Sequence, residues 1–479
     1  MSRKPNILLI TTDQQRADCL GIEKSAHPVM TPHLDQLADE GVRFSRAYSD
    51  CPLCIPSRTT IMTGKAAYEH GVDTNGEFRI PEEREHTLPG RLTSIGYQTH
   101  AAGKMHFYPP RNRNGFERMR LLPEDYVNDL ERTEYKGMYR GHGLGGNEVY
   151  PVFSAVPIQH TSTHWTVSES IDFLRQRDGE SPFFMWTSFE APHPPFDPPE
   201  QFVSLYRDLP ISKPLAGAWT GEGEPEWVHH RRLSRKLDRL NDEVILAARK
   251  HYYAMITHID YELGRLFGEL KQQGLWDNTI IVFASDHGEM LGDHGLFHKS
   301  CFYDPSARVP LIIKPGGDVK LPLGPGSVCD RPVMLADLYP TLTQLAGCSV
   351  ETDRDQRAGR SLIEAMKDPN GERVLLGYIQ DEGGLYMSTD GKWKYVYYAQ
   401  DAREQLFHLE SDPYEMQDLA PEPEHAERLA HYRSLLSERF PDTAAAEGRK
   451  GQSSEDDERK HRQKNPFAWR GPIRYGGHW

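Results

Sequence analysis

The sequence predicts an α/β protein organised on an open sheet, and two observations carry that prediction. Short apolar blocks at Ile7–Ile10, Phe183–Ser188 and Asn278–Ala284 read as buried strands, and they alternate with longer stretches of helical period at 31–41, 88–94, 163–177 and 242–273. Several strands also run directly into polar residues: Asp13-Gln14, Lys104 to His106, and Asp286-His287. In an open α/β sheet, ligand-binding groups collect just past the carboxyl ends of the strands.

Taken in order, Asn6 to Thr12 is a first strand ending at Asp13 and Gln14. Thr31 to Gly41 follows as a helix, with Thr31 as N-cap, Pro32 at the first position, apolar Leu34, Leu37 and Ala38 on one face, and a terminal glycine. Val42–Phe44 is a short strand leading to Cys51-Pro-Leu-Cys54-Ile-Pro56-Ser-Arg58. Pro56 suits the first turn of a helix and Gly64 its end, which places Cys54 just ahead of a helix N-terminus. The partial positive charge and free N–H groups there favour an ionised nucleophile and an anionic substrate, although a small buried cysteine accounts for Cys54 alone equally well. A helix at Leu88–Ser94 and a strand at 97–102 lead to Gly103-Lys104-Met105-His106. Residues 107–162 show no period, and the glycines at 143–146 lack the Lys-Ser/Thr of a phosphate loop. His193, between prolines, has a fixed backbone direction. Residues 208–240 form an Arg/His-rich insertion before the long helix, and Asp286-His287 is followed by His294, His298, Lys299 and a strand at Arg308–Ile313.

Composition narrows the function classes. Hydrophobic residues are 37% and charged residues 26%, a globular balance. No apolar run approaches the ~18 residues that span a bilayer, and the four-residue block at Ile7 is too short for a signal-peptide core. A net charge of −14 argues against nonspecific nucleic-acid binding, so an anionic substrate would need positive charge concentrated locally. Six cysteines without scaffold or metal-finger spacing predict a reducing, cytoplasmic location. Asp13, Gln14, Asp286 and His287 together offer three oxygens and one imidazole, enough for a divalent cation with room for Cys54, while Arg58, Lys104 and Lys299 supply the local positive charge.

Cys54-Ile-Pro56-Ser57-Arg58 followed by Thr63-Gly64 resembles the signature of the formylglycine-dependent sulfatases, members of the alkaline phosphatase superfamily. The likeness extends from Asn6 to about residue 420 and includes Ser285 to Gly295 and Arg403 to Pro413. It implies a large, mixed, mostly parallel sheet flanked by helices in a catalytic domain at 1–369. A smaller C-terminal α+β unit with a short antiparallel sheet would follow at 370–440, then a tail at 441–479. It implies conversion of Cys54 to formylglycine (3-oxoalanine) by a formylglycine-generating enzyme, and hydrolysis of a small organic or aryl sulfate monoester. Lys104 and His106 would contact the formylglycine, and His193 and Lys299 the ester. Asp13, Gln14, residue 54, Asp286 and His287 would hold a metal, Ca2+ by the choice of most relatives, with Mn2+ the alternative that an imidazole ligand favours. Asn75 is a further substrate-binding candidate, and the loops 107–162 and 208–240 are expected to shape the leaving-group pocket. Asp-Gln at 13–14 and Asp-His at 286–287 resemble the branch of choline-sulfatase-like enzymes and phosphonate monoester hydrolases, which leaves sulfate against phosphonate open. Neither nucleic acid nor membrane is an expected partner, and homo-oligomerisation is left open. The charged segment 442–463 reads as a linker, and Phe467, Trp469, Ile473, Tyr475 and Trp479 as a cluster that docks on the large domain, its own or a neighbouring subunit's.

Overall fold

The computed structural model of the chain describes residues 4–348, 357–380 and 384–441; the linker and aromatic tail singled out above lie outside the described residues. Fourteen strands are described: β1 (Asn6–Asp13), β2 (Val42–Phe44), β3 (Ala47–Tyr48), β4 (Gln98–Lys104), β5 (Arg118–Leu122), β6 (Phe183–Pro192), β7 (Thr279–Ser285), β8 (Leu311–Lys314), β9 (Ser327–Cys329), β10 (Val333–Met334), β11 (Leu375–Ile379), β12 (Leu385–Thr389), β13 (Trp393–Tyr398) and β14 (Arg403–His408). Eight of them form one sheet in the order β5-β4-β6-β1-β7-β8-β2-β9. All neighbours in it are parallel except β8, which runs against both β7 and β2. The sheet is therefore mixed and mostly parallel, as expected.

Both faces of this sheet are covered, which is why its strands are continuous apolar runs. Alternate side chains go to opposite faces. Leu8 and Ile10 of β1, Phe183 and Met185 of β6, and Ile281 and Phe283 of β7 pack with the helices Pro32–Asp39, Ser162–Gln176 and Asp242–Gln272. Ile7, Leu9, Phe184, Trp186, Ile280 and Val282 pack on the other side with the helices Cys54–Thr63, Leu88–Ser94 and Leu338–Leu345. The expected cap of the first helix differs. Thr31 makes no capping bond; its hydroxyl donates to Asp35 at 2.9 Å, and the free N–H groups of His33 and Leu34 are taken instead by Asp260 of the long helix, at 3.1 and 2.8 Å. A tertiary contact replaces the local one, which no local pattern announces.

β11 to β14 form a four-stranded antiparallel meander. The helix Ala426–Arg439 covers its outer face through Leu429, Tyr432 and Leu436. Its inner face, including Ile379, Met387, Val396 and Phe407, shares a core with Cys51, Leu53, Phe302 and Tyr303 of the large sheet's loops. Among the described residues none of the six cysteines is in a disulfide, and no helix is long and apolar enough to cross a membrane.

Gly103 shows how closely the site end of the sheet is packed. It has φ +98°, and a Cβ there would lie 1.9 Å from the backbone oxygen of Ser188 on β6. Gly96 is also left-handed (φ +91°) but has nothing within 4 Å. Gly103→Ala is expected to lose about 3 kcal/mol or more in urea unfolding, and Gly96→Ala only about 1 kcal/mol, the backbone cost alone. Equal losses would show that β4 and β6 can separate here without penalty.

Candidate active site

The central strands bring the polar residues together. β1 lies between β6 and β7 and is parallel to both, with Thr12 opposite Ser285. Asp13 and Asp286 therefore leave the sheet at the same edge, with Lys104 at the end of β4 and Ser188 on β6 alongside.

Above that edge stands the helix Cys54–Thr63, every residue of which is buried. Cys54 is its first residue, with Leu53 as an extended cap, one position further into the helix than the proline spacing suggested. Gly64 ends it in the left-handed region at φ 67°, its N–H on the Thr60 carbonyl at 2.8 Å. Asn75, in an exposed position, accepts from the Ile55 N–H at 3.0 Å and so caps the helix beside Cys54.

Arg58, fully buried one turn along, joins the helix to four strands. Its Nε donates to Asp286 Oδ2 at 3.0 Å, and Nη2 lies 3.4 Å from Asp13 Oδ2. Nη1 donates to Ser188 Oγ at 2.7 Å and to the Lys104 carbonyl at 2.5 Å. Lys104 Nζ adds an ion pair to Asp13 Oδ2 at 2.7 Å.

The Cys54 thiol sits within this charge. Its Sγ is 3.3 Å from His287 Nε2 and 3.6 Å from Asp13 Oδ1. His106 and His193 also act electrostatically on this pocket. Burial alone would raise the thiol pKa, but Lys299, His287 and Lys104 outweigh it and hold Cys54 well below the ordinary thiol value. Residue 54 thus occupies an anion-stabilising position whatever group it carries. Burial and the neighbouring thiolate would raise Asp13 as well; Lys104, His193 and Arg58 keep it well below the usual carboxylate range. Asp286 is raised, by burial and then by Asp13. His193 is pushed down to about 4 by burial and by Lys299 and Lys104. Its Nδ1 donates to the Pro194 carbonyl at 2.7 Å, which leaves Nε2 as the nitrogen available to a ligand.

Asp13, Cys54, Asp286 and His287 offer ligand atoms that all lie within 4.8 Å of one another. His287 Nδ1 is 3.1 Å from the Gly288 carbonyl, which can only accept, so Nδ1 carries a proton; burial would lower His287, but Asp286 and Cys54 outweigh it and raise it, so Nε2 carries a second proton whose place a cation would take. Two buried carboxylates and an imidazole nitrogen that gives up its proton on binding are a donor set suited to a divalent cation. Gln14 stands next to them at φ 75°, its N–H donating to Asp286 Oδ1 at 3.0 Å. Its side-chain oxygen accepts from Lys299 Nζ, and its Nε2 donates to Glu289 Oε2.

Sequence reasoning passed over Ser188, Glu190 and Glu289. The first two lie beyond or at the assigned end of the strand at 183–188, whereas β6 runs on to Pro192; position at a strand's carboxyl end was the available signal. A cavity beside His193 is lined by Glu190 and by Tyr126, Tyr139, Arg140 and His142 of the 107–162 loop. No residue of 208–240 lines it, although Arg231 of that insertion reaches Ser300 Oγ at 3.4 Å, next to Lys299.

Residues 5–348 match the family described as Sulfatase. The chain belongs to the sulfatase family. With a sulfatase family match and an arylsulfatase and a choline-sulfatase among its relatives, the protein is a sulfuric ester hydrolase. Residues 292–440 match a second family, the C-terminal region of N-sulphoglucosamine sulphohydrolase. The chain is 34% identical to an arylsulfatase of Clostridium perfringens, over 90% of this chain and 94% of that protein. It is also 34% identical to a choline-sulfatase of Rhizobium meliloti, over 88% and 83%. The solved phosphonate monoester hydrolase of Agrobacterium radiobacter superposes with a TM-score of 0.74 at 26% identity, covering 92% of this chain and 96% of that one.

Removing the central cation should be costly. Arg58→Ala leaves Asp13 and Asp286 buried beside each other with one fewer counter-charge, and a loss of about 3–5 kcal/mol is expected in denaturant unfolding. Asn75→Ala removes a cap only and should cost about 1 kcal/mol. An Arg58→Ala protein as stable as the wild type would refute the role given to this ion network.

Proposed function

We propose that the protein hydrolyses a small organic or aryl sulfate monoester to alcohol and sulfate, using formylglycine derived from Cys54 and a divalent cation held by Asp13, Gln14, residue 54, Asp286 and His287. The observation that carries this reading is the setting of Cys54: the first residue of a buried helix, its Sγ 3.3 Å from His287 Nε2, and held well below the ordinary thiol value, against burial, by Lys299, His287 and Lys104. Formylglycine supplies, as its hydrate, two hydroxyls on one carbon, one to attack and one to deprotonate on release; the cation, Ca2+ on hard-oxygen grounds, supplies Lewis acidity.

The chain's own side chains do the rest. Arg58 keeps Asp13 and Asp286 in place. Asp286, the more basic of the two because burial beside Asp13 raises it, suits the proton of the attacking hydroxyl. Lys104 and Lys299 place positive charge where the sulfate oxygens settle. His193 Nε2 serves the leaving oxygen together with Lys299, and His106, which acts electrostatically on residue 54, takes the second hydroxyl proton. The 107–162 loop and Glu190 bound the space beside His193 into which the alcohol portion would project. Maturation requires a formylglycine-generating enzyme as partner.

A second reading, hydrolysis of phosphonate monoesters or phosphodiesters by the same residues, is favoured by the Gln14 and His287 pair and by the likeness to the phosphonate monoester hydrolase structure. Steady-state kinetics on an aryl sulfate and on a phenyl phosphonate ester separates the two. The sulfate is expected to lead by at least about tenfold in kcat/KM, with calcium found by elemental analysis of protein purified without added metal. A reversed ratio together with stoichiometric manganese would establish the second reading in its place.

A further inference from the structure

Glu289 is completely buried and is not among the groups expected at the cation or the ester. Its carboxylate is nonetheless fully engaged. Oε1 accepts from the backbone N–H groups of Leu291, at 2.9 Å, and His298. Oε2 accepts from Gln14 Nε2. The loop closed by the first two bonds carries left-handed residues at Leu291, Gly292, His294, Gly295 and His298, and it delivers Lys299 to the site. The third bond has a chemical consequence of its own. The two ends of a glutamine amide are nearly the same size but opposite in function, one accepting and one donating. A carboxylate can only accept, so Glu289 requires the NH2 end, and the Gln14 oxygen must face inward. There it accepts from Lys299 Nζ.

We propose that Glu289 is a positioning residue that fixes the polarity of the Gln14 amide, and through it keeps an oxygen directed at Lys299 and the cation site. The inference rests on the proposed cation site, and it makes a prediction that a space-filling role does not. In Glu289→Gln the N–H groups of Leu291 and His298 still need an acceptor, so the introduced amide gives them its oxygen and turns its NH2 to Gln14. Gln14 must then present its own oxygen to that NH2, and its NH2 faces Lys299 and the cation. The double exchange Gln14→Glu/Glu289→Gln restores the order: the carboxylate at 14 accepts from the introduced amide and keeps an oxygen inward.

The test is calorimetric titration of the metal-freed full chain with Ca2+, and separately with Mn2+, alongside thermal unfolding without metal. Glu289→Gln is expected to unfold within a few degrees of wild type and to bind about 10- to 100-fold more weakly, the usual effect of altering a group that orients a metal ligand. The double exchange is expected to return to within about threefold of wild type. Wild-type affinity in Glu289→Gln, or a double exchange as weak as the single variant, would overturn the proposal. If Glu289→Gln does not fold, the double exchange alone decides: near-wild-type affinity supports the proposal and a loss beyond tenfold overturns it. Wild-type protein that binds neither ion would remove the cation site and this inference together, whereas normal wild-type binding with an unaffected Glu289→Gln removes only the inference.

Discussion

Two carboxylates, Asp13 and Asp286, are buried side by side at the ends of adjacent parallel strands, and neither could stay ionised there without compensation. The compensation comes from Arg58 and Lys104, and each ties another element to the pair. Arg58 reaches from the helix Cys54–Thr63 to β1, β7, Ser188 of β6 and the Lys104 carbonyl of β4. The helix that carries Cys54 is thus seated by the same two carboxylates that lie within ligand distance of its Sγ. A shift in the register of β1 against β7 would separate the carboxylates and leave Arg58 buried without them. Strand pairing, helix docking and the surroundings of residue 54 are consequences of one ion network.

The antiparallel meander is joined to this centre by a second buried network. Lys394 of β13 pairs with Asp304 and with Glu415, at 2.8 Å for the latter, and the Asp304 N–H donates to Glu415 Oε2 at 2.7 Å. Asp304 begins the short helix that follows the Lys299 loop, and Trp219 Nε1 donates to the Glu415 carbonyl at 2.8 Å, drawing in the 208–240 insertion. The C-terminal sheet therefore braces the backbone on one side of Lys299, as Glu289 does on the other. Both act on the position of a single ammonium group that no secondary-structure element carries directly.

Much of this was legible in the sequence because it is periodic or positional. The apolar blocks at Ile7, Phe183 and Thr279 are strands because covered parallel strands need apolar residues on both faces, and polar residues at their carboxyl ends mark the site. Pro56 and Gly64 framed the helix of Cys54, to within one residue at its start. What was not legible depends on partners distant in sequence. Asp260 capping the helix at Pro32, Asn75 capping the helix at Cys54, and Glu289 setting the Gln14 amide are each made by a polar residue whose local pattern fits a solvated position equally well. The extension of β6 through Glu190 to Pro192 was missed because Ala191-Pro192 resembles a loop.

The account depends on residue 54 being more than a cysteine of low pKa. The most direct measurement is mass spectrometry of the peptide that spans residue 54, taken from protein made in cells containing a formylglycine-generating enzyme and correlated with turnover of an aryl sulfate. The account predicts that sulfur is lost and an aldehyde oxygen gained at residue 54, and that activity rises in proportion to the modified fraction. Full activity in protein whose residue 54 is entirely unmodified thiol would contradict it.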